Sequence, residues 1–270
     1  MIIERSDNIY DELFNFKVIH GLSTNHLKIS NNFNYIPNIS KDVKVVMISN
    51  FKNNNENIDY YLSSNNLDFS FIELTSFKCW IDKIKPLLDL CEQINNKYVL
   101  YLDTSDTILV SDIPNPNDIL ERYNCKILFN AEDNYSHPGH PCDPKNWLKD
   151  YPNYYENIEI IRSKNKSNLF GKINTNGFSK SLNAGVFLGE RIYLIQFLKE
   201  ILELMLDNPD KGFPYGESDD QLIWQYLMSN CKNNEIEIDY YNLFFLWMHS
   251  SKFNFPPDHW EHFNYFNKIN

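Results

Sequence analysis

Positive charge is scarce in this 270-residue sequence: 25 Lys and Arg stand against 36 Asp and Glu, a formal net charge of -11. That balance argues against a nucleic-acid backbone as the main partner, because phosphate binding depends on basic contacts that release counterions. An acidic chain that binds an anionic small molecule needs a metal ion or a local basic patch to offset the repulsion. Paired cysteines are missing too. Cys79, Cys91, Cys125, Cys142 and Cys231 are scattered, odd in number and without C-x-x-C spacing, as expected of reduced thiols in a cytoplasmic protein. No run approaches the roughly 18 consecutive apolar residues that span a bilayer, so no membrane span is expected. Met1 to Asp7 break with charge before a secretory apolar core can form. No repeat and no linker divides the chain, so one domain over residues 1–270 is expected.

What is present is enough apolar material for a large core: 43% of residues are hydrophobic and 15% aromatic, which excludes global disorder. Val43 to Ser49, Phe69 to Leu74, Tyr98 to Leu102, Ile127 to Phe129 and Leu182 to Gly189 read as strands. Pro86, Leu87, Leu88, Leu90, Cys91 and Ile94 have helical spacing, as do Asp118 to Tyr123, Ile192 to Leu206 and Ser218 to Met228; Ile58 to Leu62 is a shorter helical stretch. The alternation predicts an α/β fold with a mostly parallel, helix-flanked sheet. Residues 1–40 lack periodicity and are expected to be peripheral. Residues 133–180, rich in Pro, Asn, Tyr, Gly and Lys, are expected to form a lid or an acceptor-binding loop.

The most informative stretch is Tyr98-Val99-Leu100-Tyr101-Leu102-Asp103-Thr104-Ser105-Asp106. An unbroken apolar run reads as a strand buried on both faces. Such a strand delivers the residues after it to the C-terminal sheet edge, where open α/β folds bind ligands. Asp103 and Asp106, spaced i, i+3, can share a hard divalent cation through oxygen ligands. The plainer reading is an Asx-type turn. Asn183-Ala184-Gly185 opens an apolar strand, with Gly185 permitting close backbone approach and Asn183 offering donor and acceptor; a simple turn into a strand is the alternative. Ser218-Asp219-Asp220-Gln221 is an S-x-x-Q capping box, so Asp219 and Asp220 suit either the helix dipole or acid–base work in a cleft. His262 can complete a metal site begun by two carboxylates, and Lys268 can contact phosphate oxygens; a frayed aromatic tail is the competing reading. His137, His140 and Cys142 are interleaved with Pro138, Gly139 and Pro141, which favours a loop over a zinc site.

In order along the chain, these pieces resemble the glycosyltransferase domain of the procollagen lysyl hydroxylase (PLOD) family. The matching motifs are Tyr101-Leu102-Asp103-x-x-Asp106, Phe129-x-Ala131-Glu132, Cys142-x-Pro144, Leu182-Asn183-x-Gly185-x-Phe187-x-Gly189, Asp219-Asp220-Gln221-Leu222 and His262-x-Asn264-x-x-x-Lys268. The resemblance implies a GT-A fold, a Rossmann-like sheet that binds a UDP-sugar with Mn2+ or Mg2+. It implies Asp103, Asp106 and His262 as metal ligands and Asp219 and Asp220 as the acidic pair needed for transfer. It further implies transfer of glucose to galactosyl-hydroxylysine of collagen-like chains. Ser105 stands where the family commonly has an aromatic residue, and Phe263 and Tyr265 stand where it has glycines.

Assembled, the expectation is a hexosyltransferase whose UDP-sugar lies across the sheet edge near Ser49. Lys268, with Lys78 or Lys83, adds positive charge at the phosphates; Asn183, Gly185 and Gln221 line the donor site. Trp147 and Tyr151 form an acceptor wall for a glycan or collagen-like chain. Two other classes stay open: a non-catalytic UDP-sugar or glycan-binding module of the same fold, and a nucleotidyltransferase, which would release pyrophosphate.

Overall fold

The computed structural model describes residues 18–20, 37–50, 67–76, 80–104, 107–109, 111–132, 181–207, 220–231, 235–239 and 244–247. Within these, the strands in chain order are β1 (Val18–His20), β2 (Val43–Ser49), β3 (Phe69–Glu73), β4 (Tyr98–Leu102), β5 (Ile108–Leu109), β6 (Ile127–Glu132), β7 (Ser181–Glu190), β8 (Ile236–Ile238) and β9 (Phe245–Trp247). The α-helices are α1 (Ile84–Gln93), α2 (Pro116–Tyr123), α3 (Arg191–Asp207) and α4 (Asp220–Asn230), and a 3-10 turn, Trp80–Lys83, leads directly into α1.

Six strands form the main sheet in the order β3-β2-β4-β7-β6-β8. In β2 every residue but Lys44 is buried, and in β4 all five are, as apolar runs covered on both faces should be. β2 runs parallel to β3 and to β4, with Val46 opposite Tyr101, and β8 runs parallel to β6. β7 runs antiparallel between β4 and β6. The architecture is therefore a Rossmann-like α/β sheet, mixed but mostly parallel. An aromatic row crosses its centre: Tyr101 stacks on Phe187 at 4.9 Å, Phe187 meets Phe129 at 4.8 Å, and Phe129 meets Trp224 of α4 at 4.9 Å. Ring contacts of this kind add to the gain from area burial alone.

The helices follow from their apolar spacing. Ile84, Leu87, Leu88 and Cys91 are the buried stripe of α1. α1 packs on α3, and Arg191 Nη1 donates to the Cys91 carbonyl at 3.1 Å while Lys199 pairs with Glu92 at 2.7 Å. α2 has Pro116 in its first turn, where a missing N–H costs nothing. It ends at Asn124, φ 48°, where the Asn124 and Cys125 N–H groups close on the Glu121 and Leu120 carbonyls.

Within the 1–40 stretch, the three residues of β1 are not peripheral. β1 is the middle strand of a second sheet, β5-β1-β9, antiparallel to β5 and parallel to β9, and Val18 is fully buried. Asp239, also fully buried, ties that sheet to the main one. Its N–H donates to the Phe129 carbonyl at 2.8 Å. Its Oδ2 accepts from the Phe244 and Phe245 N–H groups at 2.7 and 2.8 Å, and its Oδ1 accepts from the Tyr123 hydroxyl. Among the described residues, no helix is long and apolar enough to cross a membrane.

Candidate functional site

The site is built where β4 ends. Asp103 follows the last residue of that strand, and its N–H donates to the Gly185 carbonyl at 2.8 Å. Gly185 is there because β7 slips against β6. The pairing jumps from Phe129 opposite Phe187 to Asn130 opposite Asn183, so Ala184, Gly185 and Val186 have no partner in β6. A bulge of this kind bends the strand and frees backbone groups, which must then be satisfied elsewhere.

Two side chains, Asn183 and Gln221, do that, and two more, Asn130 and Gln225, bond backbone groups beside the bulge. Asn183 Oδ1 accepts from the Gly185 N–H at 2.9 Å, and Asn130 Oδ1 accepts from the Ala131 N–H at 2.8 Å. From α4, Gln221 Oε1 accepts from the Ala184 N–H and Gln225 Nε2 donates to the Leu182 carbonyl, each at 3.2 Å. Gln221 and Gln225 lie one helical turn apart, so a single face of α4 docks on the bulge. The start of α4, with Asp220, is thereby fixed beside the end of β4.

Lys83 closes the cluster. Its ammonium lies 2.8 Å from Asp103 Oδ1, with the lysine side chain 7% and the aspartate 22% exposed. The Tyr101 hydroxyl donates to the same oxygen at 3.3 Å, and the ammonium sits 5.6 Å from the Tyr101 ring centre. Burial alone would push the Lys83 ammonium down. The charges of Asp103 and Asp220, with the hydrogen bond to Asp103, outweigh burial and hold it well above the usual lysine value. Burial likewise pushes the Tyr101 phenol up, with Lys83 opposing. The phenol is therefore neutral and serves as a donor.

Of the expected site residues, Asp103, Asn183, Gly185, Asp220 and Gln221 are brought to this one edge. Ser49 ends β2, the strand beside β4; it is 7% exposed, and its carbonyl accepts from the Leu74 N–H at 2.9 Å. Asp106, His262, Asp219, Lys78, Trp147 and Lys268 lie outside the described residues, as does the 133–180 stretch. The Gly185 carbonyl and N–H both bond within the protein, to Asp103 and Asn183, and the first of these bonds joins β7 to the acid-bearing turn.

Lys83 and Gln225 carry more of the geometry than their sequence positions suggest. A signal existed for Lys83: with Leu87 and Cys91 it falls at i, i+4, i+8, on the apolar stripe of α1, and a lysine on such a stripe needs a buried partner. Asp103 offers carboxylate oxygens, and a positively charged group already rests on one of them. Among the described residues, no group of three or more His, Cys, Asp and Glu side chains is placed to hold a metal ion. Comparison of the chain with protein-family models and with curated proteins gives no match.

Proposed function

We propose that the chain is a metal-dependent glycosyltransferase of GT-A type, transferring a hexose from a UDP-sugar to a hydroxyl acceptor. One observation carries this reading. Asp103, Asn183-Ala184-Gly185 and Asp220-Gln221 stand out separately in the sequence, and they converge at one sheet edge through the Asp103–Gly185 and Ala184–Gln221 hydrogen bonds. The C-terminal edge of parallel strands is the usual ligand crevice of open α/β sheets.

In this reading Asp103, with Asp106 and His262, holds Mn2+ or Mg2+. The ion supplies Lewis-acid stabilisation of the negative charge that builds on the departing diphosphate. Asp220, on the rigid mount of α4, or its neighbour Asp219, accepts the proton of the attacking hydroxyl or stabilises positive charge on the sugar carbon. Lys78 and Lys268 add positive charge at the phosphates, and Trp147 offers an aromatic face to the acceptor. The PLOD resemblance favours glucose as the sugar and galactosyl-hydroxylysine of a collagen-like chain as acceptor; the scattered cysteines, without C-x-x-C spacing, favour the cytoplasm as the compartment.

The test is Mn2+-dependent release of UDP from UDP-glucose, UDP-galactose and UDP-N-acetylglucosamine without added acceptor. Wild type is expected to hydrolyse one donor slowly and only with metal, and Asp220→Asn is expected to be folded and at least about 100-fold slower. Pyrophosphate release instead of UDP would establish a nucleotidyltransferase. A second reading, a non-catalytic UDP-sugar-binding module, is favoured by the Lys83 ammonium, which already compensates Asp103. It predicts UDP binding with no release.

A further inference from the structure

We propose that Asp239 is a positioning residue of this site: it fixes the small sheet against the main sheet, and with it the far end of the acid-bearing turn. That turn leaves one sheet and enters the other. Asp103 follows β4 of the main sheet, its N–H on the Gly185 carbonyl, and Ile108 opens β5 of the small sheet. Thr107, just before β5, is fully buried, so the far end is seated inside the protein. A chain of bonds runs from β5 back to Asp239. Leu109 pairs with Val18 of β1, Val18 pairs with Phe245 of β9, and the Val18 N–H donates to the Phe244 carbonyl at 3.0 Å. The Phe244 and Phe245 N–H groups in turn converge on Asp239 Oδ2. Asp239 itself follows β8, its N–H is bonded to Phe129 of β6, and the Tyr123 hydroxyl of α2 donates to its other oxygen. Because the carboxylate is fully buried, removing it strands those donors where water does not replace it. Freeing the small sheet therefore frees one end of the turn, and a misplacement of about 1 Å at reacting groups can cost about 100-fold in rate. The bond chain stands on geometry alone; its bearing on turnover rests on the glycosyltransferase reading.

A merely local role for Asp239 would confine its effect to β9, and a global one would spread it through the core. Amide-resolved hydrogen exchange of the full chain, without ligand, separates these. Asp239→Ala is expected to speed exchange at least about tenfold at Phe245, Val18 and Asp103 while β2 stays protected. Asp239→Asn keeps an oxygen for the two N–H groups and is expected to restore protection at all three. UDP release, from whichever of the three UDP-sugars wild type hydrolyses, is expected to fall about 10–100-fold in Asp239→Ala and to recover in Asp239→Asn. Should Asp239→Ala fail to fold, exchange of wild type in rising sub-denaturing urea decides: Asp103 is expected to open as one unit with Val18 and Phe245, ahead of β2. Faster exchange confined to Phe244 and Phe245, an equal rise in β2, or Asp103 opening only with the main sheet overturns the proposal. Undiminished UDP release in a folded Asp239→Ala overturns it too and leaves the enzyme reading standing. If wild type releases no UDP, the enzyme reading fails, and exchange alone decides whether Asp239 holds the turn.

Discussion

Removing either member of the Lys83–Asp103 pair should have unequal effects, because the two partners are unequally buried. Breaking a fully buried ion pair from one side costs about 3–5 kcal/mol, mostly because the surviving charge is stranded. Asp103→Asn strands the ammonium, whose side chain is only 7% exposed. Asparagine still offers an oxygen to accept from it, so a loss of about 2–3 kcal/mol is expected. Lys83→Met strands a carboxylate that is 22% exposed and keeps the Tyr101 hydroxyl. Methionine also refills the apolar part of the lysine stem, so about 1 kcal/mol is expected. The double variant should lose less than the sum of the two, by about 1–2 kcal/mol. Urea unfolding followed by far-UV circular dichroism measures all three. A larger loss for Lys83→Met than for Asp103→Asn, or simple additivity, would be incompatible with this asymmetric pair. The sign with pH comes from the raised Lys83 value. The pair's contribution is fully present below the ordinary lysine pKa and disappears only as pH climbs through the elevated one.

Burial pushes the Cys91 thiol up to about 12, from 9.0, with Arg191 opposing and Glu92 adding. The unfolded chain therefore loses that proton first, and stability should fall between those values by up to about 1.4 kcal/mol per pH unit; alkaline urea melts of Cys91→Ala should show a shallower fall, and an unchanged slope counts against the assignment. Tyr123→Phe removes the hydroxyl from the fully buried Asp239, with an expected loss of about 1–3 kcal/mol in unfolding free energy; a loss under about 0.5 kcal/mol would show that this bond from α2 does not help to hold the Asp239 carboxylate. Gln221→Ala leaves the Ala184 N–H without its acceptor and should cost about 1–2 kcal/mol while faster amide exchange appears at Ala184; unaltered exchange there contradicts the docking of α4 on the bulge.

The parts legible in the sequence were those with a strong period or an unbroken run. β2 was readable as Val43 to Ser49 to the residue, and β4 as Tyr98 to Leu102, because strands covered on both faces carry no polar interruptions. α1 begins two residues before Pro86, since the turn Trp80–Lys83 winds straight into it. Strand direction is not encoded in an apolar run, so nothing in Leu182 to Gly189 announced that β7 runs against its neighbours. β8 and β9 went unread for another reason: each is three residues long, and Glu237 inside β8 looks solvent-facing until pairing with β6 buries it. At the site, Asp103, Asn183, Gly185 and Asp220 stood out because short polar residues beside apolar runs mark sheet edges. Lys83 stood on the apolar stripe with Leu87 and Cys91, but its partner lies 20 positions away, so the stripe alone did not name Asp103. Asn183 offered a donor and an acceptor on paper, but whether its oxygen faced a ligand or Gly185 depended on the β7 slip, which no local pattern specifies.

If the turn after β4 holds a divalent cation against a diphosphate, a crystal structure of the full chain grown with Mn2+ and UDP should capture both there. The expected density is manganese bound by Asp103 and Asp106, with the UDP phosphates on its far side and Asp220 across the crevice. Manganese and UDP absent from that turn at saturating concentration, or seated elsewhere in the molecule, would contradict the proposed enzyme at its root.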